Sequence, residues 1–172
     1  MPPLEIERKF LIRMPSTARL LAEDGVRVKE MVQTYLSAPA GVTARVREVR
    51  EAGGVRYIYT EKRRLTALTA EEEERELDEA AYEDALARRD ESRSPIKKTR
   101  YAIPYAGHTV EIDIYPFWQD RAILEVELTR EDEEFALPPY LTVLAEVTAD
   151  RRYKNVMLAR EVPHDPLTEE EA

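Results

Sequence analysis

The sequence predicts a mainly β fold with flanking helices, a barrel or strongly curved sheet of about seven or eight strands. Three observations carry this. Apolar and charged residues alternate with the period of two that a strand imposes, in stretch after stretch. Turn signals such as Pro39-Ala40-Gly41, Gly53-Gly54 and Ala106-Gly107 punctuate those stretches. The charged faces are also sorted, some strands carrying acids at alternate positions and others Arg or Lys.

Leu4 to Ile12 reads as the first strand, with Ile6, Phe10 and Ile12 on one face and Glu5, Glu7 and Lys9 on the other. Pro15-Ser16-Thr17 opens a short helix carrying Leu20 and Leu21, and Gly25 stops it. Lys29–Leu36 is a strand, and Val42–Arg50 another that turns Arg45 and Arg47 one way and Ala44 and Val46 the other. Beyond Gly53-Gly54, Val55–Lys62 sets Ile58, Thr60 and Lys62 against Tyr57, Tyr59 and Glu61. The acidic run Glu71–Leu77 stays open between a solvated surface or helix start and a strand turning Glu72, Glu74 and Glu76 inward. Asp78 is placed to cap a helix over 79–87. Strands follow at 96–103 (Lys98 and Arg100 together), 110–115 (Glu111 and Asp113 together), 124–128 (Glu125 and Glu127 together) and 145–148, with a final helix over 152–160. Trp118 reads as a local anchor, Tyr153 as packing, Glu146 as a strand end or an Arg partner, and Arg50, Arg63 and Arg64 as surface charges.

At 172 residues without a low-complexity break, the chain is expected to form one domain over 1–172. It has no cysteine, which excludes disulfides and thiolate metal sites, and two histidines, His108 and His164, too few for a histidine-rich site. Any metal must then be held by carboxylates, the ligands of hard cations such as Mg²⁺ or Mn²⁺. A net charge of −9 argues against general nucleic-acid binding. No signal or membrane-spanning stretch is visible, so a cytoplasmic protein without membrane partners is expected. The oligomeric state is open, a homodimer being one option.

Each charged face alone reads as a solvent face, but a sheet that needs only solubility has no reason to sort acids and bases strand by strand. If the sheet closes, the apolar faces pack outward and the charged faces line a lumen. A barrel of about eight strands holds one small ligand. Carboxylates on neighbouring strands can converge on a hard cation, while Arg and Lys neutralise phosphate oxygens. No Ser, Cys or His nucleophile arrangement and no Walker glycine loop is present.

The ordered set Glu5-Ile6-Glu7-Arg8-Lys9-Phe10, Gln33-Thr34-Tyr35-Leu36, Arg45-Val46-Arg47, Thr60-Glu61-Lys62, Lys98-Thr99-Arg100-Tyr101, Glu111-Ile112-Asp113, Leu124–Leu128, Glu146-Val147-Thr148 and Tyr153-Lys154-Asn155 resembles the CYTH superfamily, the triphosphate tunnel metalloenzymes. The resemblance spans nearly the whole chain. It implies an eight-stranded antiparallel β-barrel, a tunnel with a charged lumen, that binds a triphosphate-containing small molecule with Mg²⁺ or Mn²⁺. By position it implies Glu5, Glu7, Glu125, Glu127 and Asp113 as metal ligands and Lys9, Arg45, Arg47, Lys62, Lys98 and Arg100 as the phosphate clamp. Lys9, Arg45, Arg47 and Glu127 are the expected catalytic set. Asp120-Arg121-Ala122-Ile123 lacks the Gly-Leu that often precedes the acidic strand, so the turn into Leu124 is expected to differ. Hydrolysis of inorganic triphosphate is the favoured activity because it demands the least extra apparatus. Class IV adenylate cyclase, thiamine triphosphatase and a non-catalytic polyphosphate-binding module are the alternatives.

Overall fold

A computed structural model of the chain describes residues 2–167. Nine strands are present among them: β1 Leu4–Arg13, β2 Arg27–Leu36, β3 Val42–Glu51, β4 Gly54–Arg64, β5 Thr69–Leu77, β6 Ile96–Tyr105, β7 His108–Ile114, β8 Arg121–Leu128 and β9 Val143–Glu146. Helix α1 (Thr17–Leu21) follows β1, α2 (Glu79–Leu86) follows β5, and α3 (Asn155–Leu158) comes last. No helix among the described residues is long and apolar enough to cross a membrane.

The strands run β5-β4-β3-β2-β6-β7-β8-β1, and β1 returns to β5, so eight of them close a barrel in which every neighbour is antiparallel. The closing seam is short: Leu4, Glu5 and Ile6 pair with Glu71, Ala70 and Thr69. Higher on β1, Phe10–Ile12 pairs instead with β9. The acidic run is thus a strand, β5, settling the alternative that its pattern left open.

Alternation puts the apolar faces outside, as expected. Phe10, Ile12, Ile103, Val110, Ile112, Leu124 and Val126 form one outer core under Leu20 of α1 and the segment bearing Phe135, Leu137 and Tyr140. Ala44 and Val46 form another under Tyr82 and Ala85 of α2. Ser16 and Asp78 cap the two helices by accepting the Arg19 and Ala81 amides. α1 ends earlier than the expected stop, capped at Ala22, and Gly25 sits in the turn that follows at φ +74°, a conformation costly for a side chain.

One end of the lumen is filled rather than open. Leu11, Tyr35, Tyr115 and Ile123, on the inward-facing register, pack with Trp118, Val147, Tyr153 and Leu158. Trp118 anchors this plug by donating Nε1–H to the Pro163 carbonyl at 2.8 Å, and the Tyr115 hydroxyl donates to Asn155 Oδ1 at 2.6 Å. The single final helix expected over 152–160 is instead a 3₁₀ turn, Arg151–Tyr153, followed by α3. Lys154 separates them in an extended conformation (ψ 139°), its ammonium turned to the Thr148 carbonyl at 3.3 Å. The strand expected at 145–148 begins and ends earlier, at 143–146, and its pairing with β1 shifts register between Leu11 and Ile12.

Candidate functional site

Register determines which side chains share the lumen. Across β1 and β8, Glu7 faces Glu127 and Lys9 faces Glu125. Across β7 and β8, Glu111 faces Glu125, and Asp113 faces Arg100 of β6. On the opposite wall Arg45 pairs with Thr60, Arg47 with Gln33, and Lys62 with Glu72. All the residues expected to form the site therefore lie on the inner face of one barrel: acids gather on β1, β7 and β8, and the cations, Lys9 of β1 apart, on β3, β4 and β6.

Those charges are mutually paired. Lys62 Nζ lies 2.7 Å from Glu5 and 3.3 Å from Glu72. Lys9 Nζ lies 3.3 Å from Glu125 and donates to the Tyr153 carbonyl. Arg100 grips Asp113 with two hydrogen bonds, at 2.7 and 2.8 Å, reaches Glu111 at 3.0 Å and approaches Glu125 at 3.6 Å. Lys98 sits 2.9 Å from the same Asp113. Arg47 donates to Glu74 at 2.9 Å, and Thr60 donates to the same oxygen. Buried charges survive only when paired in this way. Among the buried polar atoms of the described residues that lack a hydrogen-bond partner are Arg45 Nε, Arg47 Nε and Gln33 Oε1 on the lumen wall.

Several lumen residues went unassigned in the sequence. Glu111 was visible as the strand partner of Asp113, and Glu72 and Glu74 were among the acids left open. Lys154 carried only the Tyr153-Lys154-Asn155 resemblance. Burial and then the nearby Arg64 and Lys9 push its ammonium down to about 8. Arg64, expected at the surface, is half-buried. Glu146 lies outside the lumen, paired with Arg8, and Glu76 is exposed beside Arg56.

Electrostatics divides the acids. Burial, then the neighbouring Glu125 and Glu5, raises Glu7 to about 8. Burial, then Glu111 and Glu5, raises Glu127 to about 6. Burial works against ionisation of Glu125 as well, but Lys9, Arg100 and Lys98 override it and hold that carboxyl well below its usual range. Asp113 is likewise lowered, by Arg100 and Lys98 against burial. Between about pH 5 and 8 the folded chain therefore binds a proton on the buried Glu7 that the unfolded chain has lost, so stability falls as pH rises, while the exposed Glu127 is screened by solvent and adds little. The metal-free melting temperature should drop by several degrees across that window, at about 2–4 °C per kcal/mol for this size. A flat or rising melting temperature over the same range contradicts the assignment.

This donor set is all oxygen, suited to a hard divalent cation. It is not assembled into a grip: among the described residues, no three acidic or histidine side chains stand close enough together to hold an ion.

A closed antiparallel barrel lined by opposed acidic and basic walls, plugged at one end, defines a tunnel protein built to accommodate a polyanion. Comparison agrees. The chain is 32% identical over 165 residues to the inorganic triphosphatase of Nitrosomonas europaea, covering 92% of this chain and 99% of that one. It matches the crystal structure of an inorganic triphosphatase at 30% identity with a TM-score of 0.57, over 92% of this chain and 96% of the other. A conserved hypothetical protein of Pyrococcus furiosus shares the fold, with a TM-score of 0.58 at 23% identity over 74% of this chain and 80% of its own. No family model matches the chain. The chain belongs to the triphosphate tunnel metalloenzymes, the CYTH family.

Proposed function

We propose that this chain hydrolyses triphosphate substrates with the help of a divalent cation, inorganic triphosphate foremost. The observation that carries the reading is the pair of buried guanidinium nitrogens, Arg45 Nε and Arg47 Nε, that lack a protein acceptor inside a lumen rich in cations. Arginines left with unused donors match the oxygens of a phosphate chain.

In this reading Lys9, Arg45, Arg47, Lys62, Lys98 and Arg100 bind and orient the phosphates. Glu5, Glu7, Glu125 and Glu127 would hold the cation, Mg²⁺ or Mn²⁺. When bound, such an ion supplies Lewis-acid polarisation of the phosphate oxygens. Because Lys62 is engaged by Glu5 and Glu72, a bound polyanion would compete for the ammonium and leave Glu5 available to hold a cation. Asp113 fits an orienting role better than the ligand role expected for it, since its two oxygens are already occupied by Arg100 and Lys98.

The deciding experiment measures orthophosphate release from tripolyphosphate, ATP and thiamine triphosphate with each metal, and cyclic AMP formation from ATP. Release from tripolyphosphate that needs the cation is expected. Tight tripolyphosphate binding without release would indicate a binding module, and cyclic AMP formation a cyclase. Glu127, exposed on the same strand face as the buried Glu125, gives a sharper prediction. Glu127→Gln should raise the metal concentration for half-activity by roughly tenfold or more, and an unchanged titration removes it from the ligand set.

A further inference from the structure

The barrel is joined unevenly. β1 meets β8 through eight register pairs, Ile6 to Arg13, but meets β5 through only three, Leu4 to Ile6. Two flanking backbone bonds extend the seam, Glu7 N–H to the Leu68 carbonyl at 3.1 Å and Glu72 N–H to the Pro3 carbonyl at 2.9 Å. The proposed function leans on this weakest joint, because the 2.7 Å contact between Glu5 and Lys62 crosses it. Glu5 and Glu7 stand on one side, and Lys62 and Glu72 on the β4–β5 hairpin at the other.

A strap lies over the seam. The chain leaving β8 after Glu127 and Leu128 is pinned at Glu133, which accepts the Thr129 amide at 2.8 Å and pairs with His108 at the start of β7. It is pinned again at Phe135, whose ring lies 5.9 Å from that of Phe10 and 4.9 Å from the Arg8 guanidinium. Between the end of β8 and these anchors Glu131 reaches the hairpin tip, one carboxylate oxygen accepting from the Thr66 hydroxyl at 3.0 Å and the Thr69 hydroxyl at 2.8 Å. Thr66 Oγ in turn accepts the Leu68 and Thr69 amides, so Glu131 holds the part of the hairpin that bonds to Glu7. In the sheet β1 lies between β8 and β5, so the bridge spans it.

We infer that Glu131 is a positioning residue: through Thr66 and Thr69 it fastens the hairpin carrying Lys62 to the acidic wall and sets the separation of the clamp from Glu5 and Glu7. Glu131 is itself exposed and touches no lumen group in the contacts described, so it acts through the seam. The functional part of this inference rests on the proposed triphosphatase reading; the structural part does not.

The test uses the full chain with Glu131→Ala, Glu131→Gln and the double variant Thr66→Val/Thr69→Val. Hydrogen exchange is followed at the Glu7 and Glu72 amides, and tripolyphosphate kinetics in parallel. Losing a charge-assisted bond of about 1.5–3 kcal/mol speeds seam opening by roughly ten- to a hundredfold. Glu131→Ala and the double valine variant should show that acceleration, with KM for tripolyphosphate raised about five- to tenfold and kcat within about twofold. Glu131→Gln, whose amide oxygen still accepts both hydroxyls, should restore both readouts. Wild-type exchange in Glu131→Ala overturns the clasp, and faster exchange with unchanged KM overturns the positioning role. A wild-type chain that releases no orthophosphate defeats the triphosphatase reading instead, and the exchange measurement then decides the clasp alone.

Discussion

Replacing Lys9 with methionine should lower tripolyphosphate turnover by roughly two to three orders of magnitude, the usual size for losing one preorganised charge at a reacting phosphoryl or acyl group. Lys9 is 6% exposed, its stem packed and its ammonium held between Glu125 and the Tyr153 carbonyl. Methionine keeps the stem and removes the charge. Glu125 is not orphaned, because Arg100 still approaches it at 3.6 Å, so the barrel should stay closed. Orthophosphate release and a melting curve on the same preparation separate the two effects. Turnover equal to wild type would remove Lys9 from the clamp, and an unfolded variant would show that its pairing is structural.

Arg100→Met should have the largest effect on the fold. Arg100 pairs with Glu111 and Asp113 and approaches Glu125, and Asp113 is 1% exposed. Breaking such a buried set by removing one partner costs about 3–5 kcal/mol, or roughly 10 °C at this size. The sign with pH follows from the acids. Asp113 and Glu125 are held below their ordinary values, so their ionised pairing stabilises the fold above the unfolded carboxylate range and is lost on acidification. The deficit of the variant should be full at pH 6 and shrink below about pH 4, as the carboxyls it strands take up protons. A deficit that grows with acid would contradict this account.

The barrel was legible in the sequence because a closed sheet has to bury something on both faces, and strict alternation along β1, β7 and β8 recorded both environments. The sorting of acids and bases by strand likewise points to a lumen. The opened-out details were not legible, for identifiable reasons. The 71–77 run has acids at successive positions, so its periodicity fits a helix start as well as a strand, and only pairing with β4 resolves it. The break at Lys154 depends on where its ammonium finds a carbonyl, a tertiary contact that helical spacing cannot encode. A residue's role in the lumen depends on its partner: Asp113 reads as a ligand candidate beside Glu111, while the opposing Arg100 and Lys98 engage both of its oxygens.

The short seam also explains the unusual spelling of β5. Since β1 pairs with β5 only at Thr69–Glu71, the stretch of β5 from Glu73 onward has, among the described residues, no neighbouring strand on that side. A bare strand border of this kind invites a second molecule to add itself. Here the border reads Glu73-Glu74-Arg75-Glu76 and is exposed along its length, so a like copy approaching it meets dense negative charge. The same glutamates that obscure the strand in the sequence thereby discourage aggregation in a crowded solution.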